Sequence, residues 1–325
     1  MSFRIELEPC VPPIWARTSH AQTIFAHLLP SREQPGAGER FDLNLEDGDV
    51  LAATVHRGDS PFVVALFHGL GGSCQSGYIR RTTEIALRLG HTVVTVNHRG
   101  CGYGRGLSRG PHHSGRGEDL SHVIGDLRER FPTKKILAVG FSLGANALLT
   151  LLTGLRGTHK PDFAVAVNGP TDLAAASRRL QEGWNRVYDA HFVQMCRREI
   201  YFMRDQGLIE FPERISRRAH LYDIDRCFTA PYGGFASAED YYSQCSTFAH
   251  FHKIKTPTVI LMSKDDPFIP WEPYLGALNQ THIDLHLQEY GGHMGYLARA
   301  RNPLGYRRWL DEALERILHR APDFV

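Results

Sequence analysis

Short uninterrupted apolar runs recur along the chain, at 62–67, 92–96, 136–139, 163–167 and 258–262, and 283–287 reads as a last strand. Runs without polar alternation are the mark of parallel strands covered on both faces. Between them, 79–89, 118–130 and 143–155 repeat apolar positions at helical spacing. Ahead of the series, 41–45 alternates, 46–49 turns and 50–55 is apolar again, which predicts a hairpin. Strand, helix, strand, helix implies a mostly parallel central sheet with right-handed crossovers and helices on both faces.

Two stretches break the rhythm. Up to about residue 40 the chain reads as a loop-rich extension, with Pro12-Pro13, Pro30 and Pro35-Gly36. From about 171 to 252 it is polar, aromatic and helical in period, and Trp184, Val187, Tyr188, Phe192 and Met195 step mostly by three or four. That stripe packs on the core in one reading and forms the inner face of a cap insertion over an active site in another; the two are compatible. Strand rhythm resumes at Thr258, just after Pro257, and the chain ends in a helix near 303–319. Residues 1–325 thus read as one α/β domain carrying an N-terminal extension and a helical cap.

Composition narrows the class. Apolar residues at 42% and charged residues at 22% lie near the globular norm, against disorder, collagen or coiled coil. The 37 basic and 35 acidic residues leave a net charge of +2, which argues against nucleic acid as a partner. Six cysteines, at 10, 74, 101, 196, 227 and 245, include no Cys-x-x-Cys pair, so zinc-ribbon and thioredoxin readings fail. The start, MSFRIELEPC, has no apolar leader, so free thiols and a cytoplasmic location are expected. The uncharged stretch 136–155 has the length of a membrane span. It divides at a glycine-flanked turn into a strand-like and a helix-like half, so no transmembrane segment is expected.

The sharpest chemical signal is that turn, Gly140-Phe141-Ser142-Leu143-Gly144, after a strand-like run and opening a helix-like one. This is the context of a nucleophile elbow, where the flanking positions must be small and the serine projects from the sheet edge. Its backbone lies at a helix N-terminus, whose unpaired N–H groups favour a developing oxyanion. In such a fold the acid and the histidine follow the serine in that order. After the 258–262 run comes Ser263-Lys264-Asp265-Asp266-Pro267, and Asp266 is favoured over Asp265 as the orienting carboxylate. His293, within Gly291-Gly292-His293-Met294-Gly295 and after the last strand, is the candidate base. The oxyanion donors are expected to be the backbone N–H of Leu143 and that of Leu70, in the loop His68-Gly69-Leu70-Gly71-Gly72-Ser73. His68 itself reads as a ring that bonds backbone and shapes this loop.

Other residues read as structural. Cys101 has neither a helix start nor a base beside it and is expected to be a small buried residue. His112-His113 point apart on an extended chain, so no metal site is expected. Asp223 and Asp225 read as loop-structuring, with Arg226 or backbone as partner, and 105–110 as a solvated basic turn lacking a phosphate-binding Lys-Ser/Thr. No cofactor is expected.

Several multi-residue motifs, in order, identify a resemblance to the YheT-like α/β-hydrolases, bacterial carboxylesterases with eukaryotic ABHD-type relatives. They are Pro12-Pro13-Ile14-Trp15 with His20-Ala21-Gln22-Thr23, His68-Gly69-Leu70, Asn97-His98-Arg99-Gly100-Cys101-Gly102, His113-Ser114-Gly115 with Asp119, Gly140–Asn146, Asp240-Tyr241-Tyr242 and Asp265-Asp266-Pro267. Gly102 falls one place early, and Ala145 stands where the family has glycine, which is expected to narrow the pocket. The resemblance implies an α/β-hydrolase fold and a Ser–Asp–His hydrolase of carboxylic esters, with a small ester or lipid-like substrate. An acyltransferase on the same residues and a non-catalytic binding module on a hydrolase scaffold are the competing readings.

Overall fold

The structure is a computed structural model that describes residues 3–29, 35–299 and 307–325. Its centre is an eight-stranded sheet: β1 (Glu39–Asn44), β2 (Val50–His56), β3 (Phe62–Phe67), β4 (Thr92–Asn97), β5 (Lys135–Phe141), β6 (Phe163–Val167), β7 (Thr258–Ser263) and β8 (Ile283–Gln288). In space the order is β1-β2-β4-β3-β5-β6-β7-β8. The β1–β2 hairpin and the β2–β4 pair are antiparallel, and every later pair is parallel. Each apolar run of the sequence falls within a strand. β4 and β7 are buried along their whole length, as strands covered on both faces must be.

Alternate residues of a strand feed two separate apolar layers. On one face Val63, Ala65 and Phe67 meet Leu120, Val123 and Leu127 of one helix and Leu148 and Leu152 of another. On the other, Val64 and Leu66 meet Ile79, Ile85, Leu314 and Ile317. The helices are α1 (Ser19–Leu28), α2 (Gly77–Arg88), α3 (Gly117–Arg130) and α4 (Leu143–Leu152). Between β6 and β7 come α5 (Leu173–Leu180), α6 (Arg186–Asp205), α7 (Leu221–Ile224), α8 (Ala230–Tyr232) and α9 (Ala238–Cys245); α10 (Trp309–Arg320) closes the chain. The uncharged stretch 136–155 divides into β5 and α4, and among the described residues no helix is long and apolar enough to cross a membrane. All six cysteines are free.

The sequence reading needs correction in places. The N-terminal stretch is not merely loop: it carries α1, capped by the Thr18 side chain, which accepts from the Ala21 N–H. Pro30 lies outside the described residues. The first part of the expected last helix, 303–306, lies outside them too; the helix itself begins at Trp309. Asp223 and Asp225 lie on helical turns, α7 and the π-turn after it. The Asp225 carboxylate accepts from Tyr242 Oη at 2.7 Å rather than pairing with Arg226, whereas Asp223 does as expected, accepting from the His220 N–H and lying 4.0 Å from the Arg226 guanidinium. Arg105 pairs with Glu199 across to α6.

The segment Asn97–Arg99 is the junction between the hairpin and the parallel sheet. Asn97 Nδ2 donates to Ala52 O and its Oδ1 accepts from Cys74 N–H. The buried Arg99 guanidinium makes a two-pronged bond to Asp119 at the start of α3, 2.7 Å on each side. It also reaches Asp49 and Asp47 in the hairpin turn. Buried charges are tolerated only when so matched. Arg99→Met leaves Asp49 and Asp119 buried without their counter-ion. Its unfolding free energy, read from a urea titration, is expected to fall by about 3–5 kcal/mol, whereas loss of the half-exposed Asp47 costs far less.

Candidate active site

Ser142 sits between β5 and α4 with φ 51° and ψ −120°, a conformation rare outside glycine. The Ser142 N–H donates to Val167 O, which ties the turn to β6. The flanking glycines are demanded by closeness. A Cβ on Gly140 would stand 2.6 Å from Gly144 O, and one on Gly144 would stand 2.4 Å from His68 O. The turn therefore presses directly against the His68–Gly72 loop. Ala145, expected to narrow the pocket, does not line it: its side chain is fully buried and faces Gly169.

Three of the residues singled out by sequence meet. His293 Nε2 lies 2.9 Å from Ser142 Oγ, and His293 Nδ1 lies 2.8 Å from Asp266 Oδ2. With Asp266 as a carboxylate acceptor, Nδ1 carries the proton and Nε2 is the free acceptor facing the serine. Asp266 is itself held by four donors: Phe268 and Ile269 N–H at Oδ1, and Asn168 Nδ2 with the imidazole at Oδ2. Asp265 points elsewhere. Its Oδ1 accepts from Gly292 N–H and its Oδ2 is buried without a partner. Burial first, and the neighbouring Asp266 charge, push its pKa up to about 6.

Sequence reasoning missed several residues that place the imidazole. Thr23 of α1 accepts from the His293 N–H at 2.9 Å. The fully buried Gln22 accepts from Leu297 N–H and donates to Ala16 O. Asn168, at positive φ, donates to Asp266 and accepts from Tyr296 Oη. The Phe268 ring covers His293, centroid to centroid 4.2 Å. The only signals for these were the quoted His20–Thr23 motif and the turn-forming Asn168-Gly169 pair.

His68 donates from Nδ1 to Gly69 O, and its Nε2 accepts from His98 N–H. Burial holds it neutral and pushes the neighbouring His98 down to about 4. The ring nitrogens of His68, His98 and His112 lie close together. Both nitrogens of His68 are bound to backbone, and the His98 and His112 rings stack at 4.1 Å and 12°. Stacked rings set their lone pairs side by side rather than toward one point, so the trio does not fit a metal's convergent donors. Cys101 is only partly buried overall, though desolvation lifts its thiol to about 12, away from reactivity.

Two cavities meet at Ser142. One, of about 410 Å³, is walled by Gly69–Gly72, Ile24, Leu28, Tyr188, Phe192, Met195 and His293. The other, of about 110 Å³, runs under α5–α9, past Leu173, Leu180 and Phe192 to Ser177, Asp225 and Tyr242. Leu70 borders both and Leu143 the smaller. The aromatic stripe of α6 is split. Tyr188, Phe192 and Met195 face the larger cavity, but Trp184 and Val187 are 78% and 60% exposed.

A strained serine between strand and helix, at the edge of a parallel sheet and bonded to a histidine from beyond the last strand, defines an α/β hydrolase. The model of the "Alpha/beta hydrolase family" matches residues 63–302, and the chain belongs to that family. Within it the chain is a member of the YheT-like group: it is 32% identical to "Putative esterase YheT" of Escherichia coli (strain K12) over 87% of this chain and 83% of that one. It is also 28% identical to "Medium-chain fatty acid ethyl ester synthase/esterase 2" of Saccharomyces cerevisiae, over 82% of this chain and 64% of the yeast protein. Among solved structures, an esterase of Pyrococcus furiosus, Pf2001, shares the fold with a TM-score of 0.56 at 18% identity, covering 87% of this chain and 92% of its own. Fold and family make the chain a carboxylic ester hydrolase.

The Asp265 carboxyl generates a pH prediction. Its folded pKa of about 6 exceeds the ordinary 3.8, so the fold favours the protonated form. That contribution to stability is complete below 3.8 and is lost as pH rises through about 6. Asp265→Asn, which keeps the bond to Gly292 N–H, is therefore expected to gain melting temperature on wild type between pH 4 and pH 7. Parallel melting curves across that range read it; a constant difference refutes it.

Proposed function

We propose that Ser142, His293 and Asp266 form the catalytic triad of a serine esterase acting through an acyl-enzyme. The observation that carries this reading is the unbroken chain of bonds from Ser142 Oγ through both imidazole nitrogens to Asp266. Ser142 Oγ attacks the acyl carbonyl carbon while its proton passes to His293 Nε2. The oxyanion is held by the N–H groups of Leu70 and Leu143, the latter at the N-terminus of α4. Collapse breaks the ester C–O bond, and the leaving alkoxide takes the proton from the imidazolium. Water then attacks the acyl-enzyme, gives its proton to Nε2, and the acid leaves as Ser142 recovers a proton. Asp266 holds the tautomer and stabilises the imidazolium throughout.

We read residues 1–325 as one domain in which the 171–252 helices are a cap. The larger, apolar cavity suits a short to medium acyl chain. The smaller, ending at Ser177, Asp225 and Tyr242, suits the alcohol. Burial raises the Asp225 pKa to about 6, and an uncharged alcohol with hydroxyls finds both donors and acceptors there. Arg81, at the rim of the larger cavity, is paired with Asp311, so among the described residues neither cavity offers a phosphate clamp. A second reading, an alcohol replacing water at the acyl-enzyme, is favoured by the yeast relative named as both synthase and esterase. Product analysis with added alcohol separates the two.

Ser142→Ala is expected to keep its fold and lose about 10⁴–10⁶-fold in ester turnover; near-normal turnover in the purified variant rules the mechanism out. Asp266→Asn is expected to lose about 10⁴-fold, because Asn favours the wrong tautomer, and Asp265→Asn far less. Reversed sensitivities move the role to Asp265.

Cavity shape generates a further expectation. Each buried methylene contributes about 0.8 kcal/mol, so two carbons that still fit are worth roughly tenfold in kcat/KM. A nitrophenyl ester series should rise and then break off. In Phe192→Ala and Met195→Ala the break moves to longer chains; an unchanged profile in folded variants removes these residues from the acyl wall.

A further inference from the structure

The helix α1 is amphipathic in the wrong sense for a core element. Its one buried residue is Gln22, while Ile24, Phe25 and Leu28 face outward. Immediately before it Val11, Ile14 and Trp15 are also exposed, Ile14 by 75% and Trp15 by 59%. Of the sixteen large apolar side chains exposed among the described residues, seven fall within positions 11–29. Within this group the Trp15 and Phe25 rings meet edge to face at 5.7 Å, and Ile24, Leu28 and Leu29 border one cavity. The surface continues onto the cap. His20 stacks on Tyr188 and bonds its hydroxyl at 3.0 Å, and Trp184 shares a hollow with Ser19 and His20. Exposed patches of this extent mark interaction surfaces.

Two further observations choose the occupant. The patch is continuous with the larger cavity: Ile24, Leu28 and Leu29 line it on the same segment as Thr23, and the cavity leads to Ser142 and His293. The charge leans basic. Positions 11–29 contain Arg17 and no Asp or Glu, and Arg178, Arg179 and Arg186 follow from the end of α5 to the start of α6, where Glu182, Asp265 and Asp266 line the hollow shared by Arg179 and Trp184. Two copies of this face would set cation against cation, whereas an anionic lipid surface complements it. Aromatic rings among apolar and cationic side chains suit the boundary between headgroups and acyl tails.

We propose that residues 11–29, with Trp184 and Val187, dock the protein on an anionic lipid–water interface. The mouth of the acyl cavity then opens onto the bilayer, and the tail of an embedded ester slides along α1 to Ser142 without crossing water. The use of the cavity rests on the esterase reading; the docking surface does not.

The test keeps the two separate. Full-length Ser142→Ala protein is sedimented with vesicles of phosphatidylcholine alone and of phosphatidylcholine with phosphatidylglycerol, and its mass in solution is taken by light scattering. Binding is expected to the anionic vesicles, weakened by salt. The triple variant Trp15→Ser, Phe25→Ser, Trp184→Ser, made in both backgrounds, is expected to lose about tenfold or more of that binding. In the Ser142 background it keeps wild-type turnover of soluble nitrophenyl acetate, which shows that it folds. The proposal is overturned by absence of vesicle binding, by equal binding of the triple variant, or by a solution dimer that the triple variant dissolves, which makes a second copy the occupant. Retained turnover in Ser142→Ala would instead sink the esterase reading and leave the vesicle result standing.

Discussion

The constraint on which the rest of the molecule depends is a serine backbone forced to φ 51° in a turn with no room for a side chain on either flank. Such a conformation costs of the order of 1–3 kcal/mol and persists only where the surroundings over-determine it. Here they do so on three sides. β6 takes the Ser142 N–H, the His68–Gly72 loop packs against Gly144, and α4, with nine of its ten residues buried, follows at once. Asn146, one turn on, binds Ser114 and Cys245 and accepts from Thr247. The elbow helix is thereby pinned to the loop before α3 and to the end of α9. Strain at the serine is thus held by β6, by the His68–Gly72 loop and by α4.

The imidazole is placed by a different device. Its loop hangs beyond the last strand and is fastened from the opposite end of the chain. Thr23 holds its backbone and Gln22 holds Leu297. Residues from the two ends of the sequence thus set one hydrogen bond. This explains why α1 turns the Gln22 amide and the Thr23 hydroxyl inward while displaying its apolar side: its inward face is a polar clamp, and its outward face is free for another task.

How much of this was legible in the sequence follows from the same physics. The strands were, because burial on both faces removes alternation and leaves runs such as Phe62–Phe67 and Thr258–Ser263 plain to see. The elbow was, because only crowding demands glycine at both 140 and 144. The helix α1 was not, because its apolar positions face away from the core and three prolines stand nearby. Nor was the splitting of the α6 stripe: periodicity reports a face, but not where that face ends and solvent begins. The polar supports, Thr23, Asn168 and Tyr296, escaped for a similar reason. Each acts through contacts with segments far away in the chain, and nothing local to them distinguishes such contacts from an ordinary turn or surface position.

The adjacent pair Asp265-Asp266 shows what local sequence withholds. The two residues are chemically identical, and successive side chains after a strand point to opposite sides. Asp266 turns toward four donors, including the imidazole and two backbone N–H groups. Those donors fix its direction toward the imidazole. Asp265 turns to one N–H, keeps an unpartnered oxygen, and is pushed toward its neutral form by burial and by the charge beside it. The loop that carries His293 is thus held on both sides of the same histidine: by Asp266 at its ring and by Asp265 at the Gly292 N–H.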